Sequence, residues 1–155
     1  MLERKRKLDC ANGREKADLV LKNGNVLNVF TEEVLKADVA ICGDTIVGVG
    51  EYEGKEEIDC TGKYLVPGFI DAHMHIESCM AAPGELAKVL AKAGTTTIIA
   101  DPHEIVNVSG TKGMDYFLKC AAKLLVNVFF MVPSAVPATD VETNGCGEFL
   151  ASDMM

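Results

Sequence analysis

Two histidines, His73 and His75, stand two residues apart at the end of an apolar run near the middle of the chain. Neutral imidazole is a common ligand of first-row transition metals, and alternate residues of a β-strand lie on the same face of a sheet. Asp71 and Glu77 share this alternation, so one face of the strand would carry four groups able to bind a metal or transfer a proton. The pattern therefore predicts a metal site at the end of a strand.

The flanking residues favour this interpretation over a solvated surface pair. A His-x-His pair alone is a weak motif, and on an exposed hairpin it is usually solvated. Here Pro67 and Gly68 provide a sharp entry into the strand, and Pro83 marks the start of a following helix. The opposite face of the strand is apolar, as a barrel strand covered by helices requires. Its residues are Ile70, Ala72, Met74 and Ile76.

Composition limits the classes of protein to which the chain can belong. Its 155 residues, 48% of them hydrophobic, are enough for one domain or two small ones, and the formal charge of −8 disfavours a nucleic-acid partner. No apolar segment follows the basic cluster at residues 4–7, and no apolar run reaches membrane-spanning length. We therefore expect a cytoplasmic protein with no membrane partner. The six cysteines include no Cys-x-x-Cys pair and are interpreted as reduced thiols.

Residues 1–64 are predicted to form a small β-rich domain. Asn23-Gly24 between two apolar runs predicts a first hairpin, and Gly43-Asp44 between two further runs predicts a second. A polar loop and short strands then lead to the next domain.

Residues 65–155 are predicted to form a β-α-β-α-β arrangement, the unit of a parallel sheet. The β-branched run Thr95–Ala100 predicts the second strand, and residues 126–132 predict the third. Functional groups are expected at the carboxyl ends of such strands. All three histidines of the chain lie at these ends, since His103 follows the second strand beside Asp101 and Glu104.

Several motifs together resemble a known family. The β-rich opening and the run Val-Pro-Gly-Phe-Ile-Asp-Ala-His-x-His resemble the amidohydrolase superfamily. Three further segments are similar to the adenine deaminases within it. They are His75-Ile76-Glu77-Ser78, the run from Gly94 through Asp101-Pro102-His103-Glu104 to Val108, and Val132-Pro133-Ser134 with Val136-Pro137-Ala138-Thr139. The resemblance extends over almost the whole chain from Ala17, with small departures at Cys79 and Ala135.

The resemblance implies an α/β fold in which a small N-terminal β-sandwich-like sheet is followed by the first β/α units of an incomplete TIM-type metallo-dependent hydrolase barrel. It also implies hydrolysis of the purine base adenine to hypoxanthine and ammonia, in purine salvage, at a binuclear manganese or iron centre. The full-length enzyme is expected to be a homo-oligomer.

Roles for individual residues follow from the motifs and the resemblance together. His73, His75 and His103 are the expected metal ligands, with His103 as a substrate contact in the alternative. Glu77 and Glu104 are candidates for acid/base catalysis or for organising the metal, and either could instead be solvated. Asp71 and Asp101 are expected to orient the ligands rather than react. Ser134 is a candidate contact to the purine, although a Pro-rich turn explains it equally well.

The family enzyme has a complete eight-stranded barrel, whereas this chain reaches Met155 after three predicted strands. We therefore expect an N-terminal part of the enzyme that is inactive alone. Two alternatives remain at this point. One is another cyclic-amide amidohydrolase, of the dihydroorotase or hydantoinase kind, and the other is a non-catalytic remnant that acts only in association.

Overall fold

The computed structural model describes residues 2–133, 136–139, 141–142, 145 and 151–154. Its contacts divide the chain into two compact units, Met1–Pro67 and Gly68–Met155. The sequence-based boundary between residues 64 and 65 lies three residues before this division.

The first unit contains one helix and a five-stranded sheet. Its elements are α1 Leu2–Ala11, β1 Ala17–Asn28, β2 Glu33–Cys42, β3 Thr45–Gly50, β4 Gly54–Asp59 and β5 Tyr64–Leu65. The strand order is β3-β2-β1-β4, and β5 also pairs with β1. The β1–β2 and β2–β3 pairs are antiparallel, whereas β4 and β5 are parallel to β1.

The hairpin predicted at Asn23-Gly24 is wrong, because β1 continues through these residues. Between Leu21 and Gly24 the strand gains one residue relative to β2, which makes a β-bulge. Asn23 has a φ of 60° and donates its backbone N–H to the Asp38 carboxylate at 2.9 Å. The Asn-Gly pair therefore supplies the left-handed conformation of a bulge rather than that of a turn. The second predicted hairpin, at Gly43-Asp44, is confirmed, since β2 and β3 are antiparallel on either side of it.

Helix α1 lies against this sheet through its basic side chains. Arg6 forms ion pairs with Glu15 and Asp18, and Lys7 contacts Asp44 at 2.8 Å. Arg6 and Lys7 therefore bind acidic side chains of the same unit.

The second unit contains a three-stranded parallel sheet with helices between its strands. Its elements are β6 Phe69–Met74, α2 Pro83–Lys92, β7 Thr95–Ala100, α3 His103–Ser109, α4 Thr111–Ala121 and β8 Asn127–Phe130, with short 3-10 helices at Glu77–Cys79 and Ala151–Met154. The order β6-β7-β8 and the parallel pairing confirm the predicted β/α alternation. Helix α2 begins at Pro83 as predicted. Helix α3 was not predicted.

The core of the second unit is formed where these elements meet. Ile76, Ile98, Ala100 and Phe117 are buried together, and the Phe117 and Phe130 rings stack with centroids 5.9 Å apart. This packing fixes the carboxyl end of β7 and the residues that follow β6, which carry the polar groups discussed below.

No helix in the described part of the chain is long and apolar enough to cross a membrane. The five cysteines at described positions are free thiols; Cys146 lies outside the described residues.

Candidate metal centre

The two histidines of the central motif meet at the carboxyl end of β6. Their Nε2 atoms are 3.2 Å apart, and the rings are tilted with centroids at 5.1 Å. The strand ends at Met74, so His73 lies within β6 and His75 directly after it. The Asp71 carboxylate accepts the backbone N–H of His73 at 3.1 Å, which fixes the end of the strand.

Asp101, which was expected from the sequence to orient the ligands, instead completes a cluster of three possible metal ligands. It follows β7, and its backbone N–H donates to the Met74 carbonyl at 2.9 Å, which brings the two strand ends together. One ligand atom from each of His73, His75 and Asp101 lies within 4.8 Å of the others. The nitrogen and oxygen donors suit zinc, manganese or iron.

Two features of the cluster fit a bound cation. Two imidazole nitrogens 3.2 Å apart can share only one proton, whereas a cation accepts both lone pairs. Asp101 Oδ1 is buried and, among the residues that the structure describes, has no hydrogen-bond partner. A buried acceptor without a donor is costly, and a metal ligand bond would remove that cost.

Glu104 determines which nitrogen of His75 faces the cluster. Its Oε2 lies 2.8 Å from His75 Nδ1, and its Oε1 accepts the Ser78 hydroxyl at 3.2 Å. With a proton on Nδ1, the lone pair of His75 is on Nε2, beside His73. A carboxylate on the second nitrogen of a histidine ligand is a common arrangement in metal sites.

The electrostatics of this pair agree with its geometry. The hydrogen bond that His75 donates to Glu104 raises the pKa of His75 above its usual value, against an opposing effect of burial, and nearby Asp101 and Glu77 add to the rise. Partial burial alone would raise the pKa of Glu104, but its own backbone N–H, His75 and Ser78 outweigh this effect and lower it. Glu104 is therefore ionised at neutral pH and holds the Nδ1 proton.

The alternation of the strand predicted that Glu77 lies on the same face as His73 and His75. This prediction is wrong. Because β6 ends at Met74, Glu77 begins a 3-10 helix, and its Oε1 accepts the backbone N–H of Ile105 at 2.9 Å. Its predicted catalytic role stays a prediction.

His103 is the first residue of α3 and lies outside the three-residue cluster. Its Nε2 is 3.5 Å from Glu142 Oε1, which also accepts the Asn107 side-chain amide at 3.2 Å. The other Glu142 oxygen accepts the Ala138 backbone N–H. Glu142 was not predicted to have a role, because its position in a Pro-rich segment without periodicity gave no signal for one. The His103 metal role stays a prediction, and Ser134 lies outside the described residues.

Comparison with known proteins establishes the family. The amidohydrolase family model matches residues 64–152, more than half of the chain. The chain therefore belongs to the amidohydrolase family.

Within this family, the chain is similar to curated adenine deaminases. It is 58% identical over 142 residues to the adenine deaminase of Desulfitobacterium hafniense (strain Y51), covering 92% of this chain and 25% of the relative. It is 52% identical over 139 residues to that of Clostridium acetobutylicum, covering 90% of this chain and 24% of the relative. The chain thus spans about a quarter of the length of these relatives.

Solved structures agree on the fold. N-acyl-D-glutamate deacylase from Bordetella bronchiseptica, described in complex with zinc, matches with a TM-score of 0.64 and 19% identity over 90% of this chain and 34% of that one. A D-aminoacylase described by its binuclear metal centre matches with a TM-score of 0.63 and 23% identity over 89% of this chain and 34% of that one. The expected fold class, a small sheet followed by the first β/α units of an amidohydrolase barrel, is confirmed.

Proposed function

We propose that the chain supplies the first metal-binding part of an adenine deaminase, which converts adenine and water to hypoxanthine and ammonia. The observation that carries this proposal is the 58% identity to an adenine deaminase over 92% of the chain. The cluster of His73, His75 and Asp101 supports it, because hydrolysis of an aromatic amine needs an activated water.

In this proposal the chain's residues have distinct tasks. His73 and His75 offer their Nε2 atoms to a metal, with manganese or iron proposed, and Asp101 offers a carboxylate oxygen. The metal, when bound, supplies the Lewis acidity that activates water. Glu104 keeps a proton on His75 Nδ1, so Nε2 stays available as a ligand. Asp71 fixes the His73 backbone.

Deamination also requires a proton at the ring and at the departing ammonia. Glu77 and Glu104 lie near His75, as Asp101 does, and Glu77 and Glu104 are proposed as candidates for this transfer. His103 is proposed as a further metal ligand or, in the alternative, as a substrate contact, and Ser134 is proposed as a contact to the purine. The described residues bring three donors together from two strand ends, fewer than a binuclear centre needs, so the 155-residue chain alone is expected to give no turnover.

A chimeric enzyme tests the proposal. This chain would replace the matching segment of the Desulfitobacterium hafniense adenine deaminase, and ammonia release from adenine would be measured with added manganese or ferrous iron. We expect metal-dependent deamination, at least about a thousandfold lower in the chimera carrying His73→Ala and His75→Ala. The matched control is Glu85→Gln, an exposed residue of α2 that pairs with Lys88.

Two results would count against the proposal. One is a folded chimera that binds metal but leaves adenine unchanged while the parent enzyme is active. The other is turnover of dihydroorotate or hydantoin in preference to adenine, which would favour a cyclic-amide hydrolase.

A further inference from the structure

Helix α3 begins without a capping side chain of its own. Its N-cap residue is Pro102, which makes no side-chain cap hydrogen bond, and the helix has only seven residues. The Pro102 carbonyl accepts the Val106 N–H at 3.0 Å, so the donors before Val106 need partners from outside the helix. For Ile105 that partner is Glu77 Oε1 at 2.9 Å, 28 residues earlier in the chain.

Ile105 is also closely packed on the side of α4. A Cβ built on Gly113 would lie 2.6 Å from the Ile105 carbonyl oxygen, so the two helices approach more closely than any other residue at 113 would allow. The Ile105 side chain packs against the buried cluster that includes Ile76 and Phe117. The position of Ile105 is therefore fixed by packing. The hydrogen bond to Glu77 in turn holds the residues that follow β6 at a fixed distance from Ile105.

The residue before Ile105 is Glu104, whose carboxylate contacts His75 and Ser78. Residues 75–78 and the first turn of α3 are thus connected by three hydrogen bonds, one of them through the backbone. We propose that Glu77 is a positioning residue: by capping α3 from the loop after β6, it places Glu104 against His75 and so sets which nitrogen of His75 faces the metal. This inference rests on the proposed metal site.

Glu77 is half-buried, and the surroundings of its carboxylate support this role. Its second oxygen, Oε2, is buried and, among the described residues, without a hydrogen-bond partner. A buried carboxylate is costly unless hydrogen bonds or charge offset the loss of water. The Ile105 N–H and the positive end of the helix dipole provide that compensation. A solvated glutamate would form neither contact.

The test uses the whole 155-residue chain, first without metal and then in a titration with manganese. In the chain carrying Glu77→Met, which keeps the side-chain length but loses the acceptor, the Ile105 amide is expected to exchange about fivefold faster. At a pH well above the ordinary histidine pKa, nitrogen NMR is expected to show His75 protonated at Nδ1 in the unmodified chain and a mixture of tautomers in the variant. Manganese affinity is expected to fall about fivefold.

Glu77→Gln is the rescue variant, because its amide oxygen can still accept the Ile105 N–H. It is expected to restore both the slow exchange and the single His75 tautomer, whereas a general loss of packing would affect both variants. Glu85→Met is the control and is expected to change neither signal. In the unmodified chain, a through-hydrogen-bond coupling between the Ile105 nitrogen and the Glu77 carboxyl carbon is expected even if Glu77→Met fails to fold.

The inference is overturned by an absent coupling, or by an unchanged His75 tautomer in a folded Glu77→Met chain. Both results concern the metal-free chain and leave the proposed metal site standing. Conversely, an unmodified chain that shows the coupling but binds no manganese retains the cap and contradicts the metal site instead.

Discussion

The hydrogen bond between Glu104 and His75 prepares two neighbouring imidazoles to bind one metal through their Nε2 lone pairs. His73 and His75 present their Nε2 atoms to each other at 3.2 Å, and the Glu104 contact at 2.8 Å occupies the other nitrogen of His75. Without Glu104, His75 could carry its proton on either nitrogen, and only one of the two tautomers offers Nε2 to a metal.

Removal of this carboxylate is therefore expected to weaken metal binding while the chain remains folded. We expect Glu104→Leu to lower manganese affinity about tenfold, whereas Glu104→Gln, which keeps an acceptor oxygen, should lower it less. Calorimetric titration of each variant measures the affinity, with the exposed Glu85→Leu as the matched control. Equal affinities for Glu104→Leu and the unmodified chain would show that the Glu104 contact does not prepare the site.

For individual residues, the sequence predicted which side chains belong to the site better than it predicted their contacts. The spacing of His73 and His75 was sufficient to place both rings together, because the alternation of a strand is short-range. Glu77 and Glu142 were not predictable in the same way. Glu77 contacts a backbone group 28 residues away, and Glu142 contacts His103 across 39 residues, so neither contact has a local signal.

Among the elements, α3 and α4 depend on close backbone approach. Gly113 is buried in α4, and an added Cβ would meet the Ile105 carbonyl oxygen at 2.6 Å. Backbone atoms cannot rotate away as a side chain does, so a larger residue must separate the two helices.

Two glycine substitutions separate this packing effect from helix propensity. Gly113→Ala is expected to lower the free energy of unfolding by about 1–3 kcal/mol through overpacking. Gly84→Ala in α2, where a Cβ meets nothing within 4 Å, is expected to raise it by about 0.5 kcal/mol. Urea unfolding followed by circular dichroism gives both values. A stabilising Gly113→Ala would mean that the two helices are less closely packed than described.

Helix α1 leads to a prediction about acid stability. The hydrogen bond from Lys7, followed by that from Thr45, lowers the pKa of Asp44 from 3.8 to about 2. A depressed carboxyl pKa stabilises the folded state above the unfolded value of 3.8, and this contribution is lost as the pH falls toward about 2. Asp44→Asn should therefore be less stable than the unmodified chain at neutral pH and equal to it below about pH 2.

Urea unfolding at a series of pH values checks this dependence. Because Asp44 is exposed, the difference should be small and should shrink further in high salt. A difference that persists undiminished at the acid end would exclude titration of Asp44 as its cause.

The elements also show why some local signals mislead. Asn23-Gly24 is a strong hairpin signal, yet here its left-handed residue makes a bulge, because Asp38 accepts the Asn23 N–H and β1 continues along β2. Helix α3 was not predicted, because its seven residues are too few for a periodic pattern. Its N-terminal cap also comes from Glu77, which is distant in the sequence. By contrast, α2 carries its own start signal at Pro83 and was predicted.

At the scale of the whole molecule, the two units differ in how their strands are paired. Strand β1 has β2 on one side and β4 and β5 on the other, whereas β6 and β8 each pair only with β7 among the described strands. Phe69 in β6 and Phe129 in β8 are largely exposed. Strands with one neighbour and exposed apolar side chains open more easily.

Hydrogen exchange on the full chain tests this difference. We expect the amides of β1 to exchange at least about tenfold more slowly than those of β6 and β8, with β7 between them. Equal or greater protection of β8 would contradict the inference that pairing limits the stability of the second unit.

The fold class could be predicted because two kinds of information agreed. The alternation of strands and helices after Pro67 indicated a parallel sheet, and motifs such as Asp101-Pro102-His103-Glu104 resemble one family. The parallel pairing of β4 with β1 could not be predicted, since it joins strands separated by the whole β2–β3 hairpin. Local sequence patterns do not indicate with which distant strand a given strand will pair.

The proposed function depends most directly on a metal site formed by His73 and His75. Calorimetric titration of the 155-residue chain with manganese tests this, because manganese prefers oxygen donors such as carboxylates and has little affinity for the free thiols. We expect weak, exchangeable binding of one ion by the unmodified chain and by the Glu85→Gln control, and none by the chain carrying His73→Ala and His75→Ala. Equal binding by the unmodified chain and the double variant would show that the two histidines are not the site.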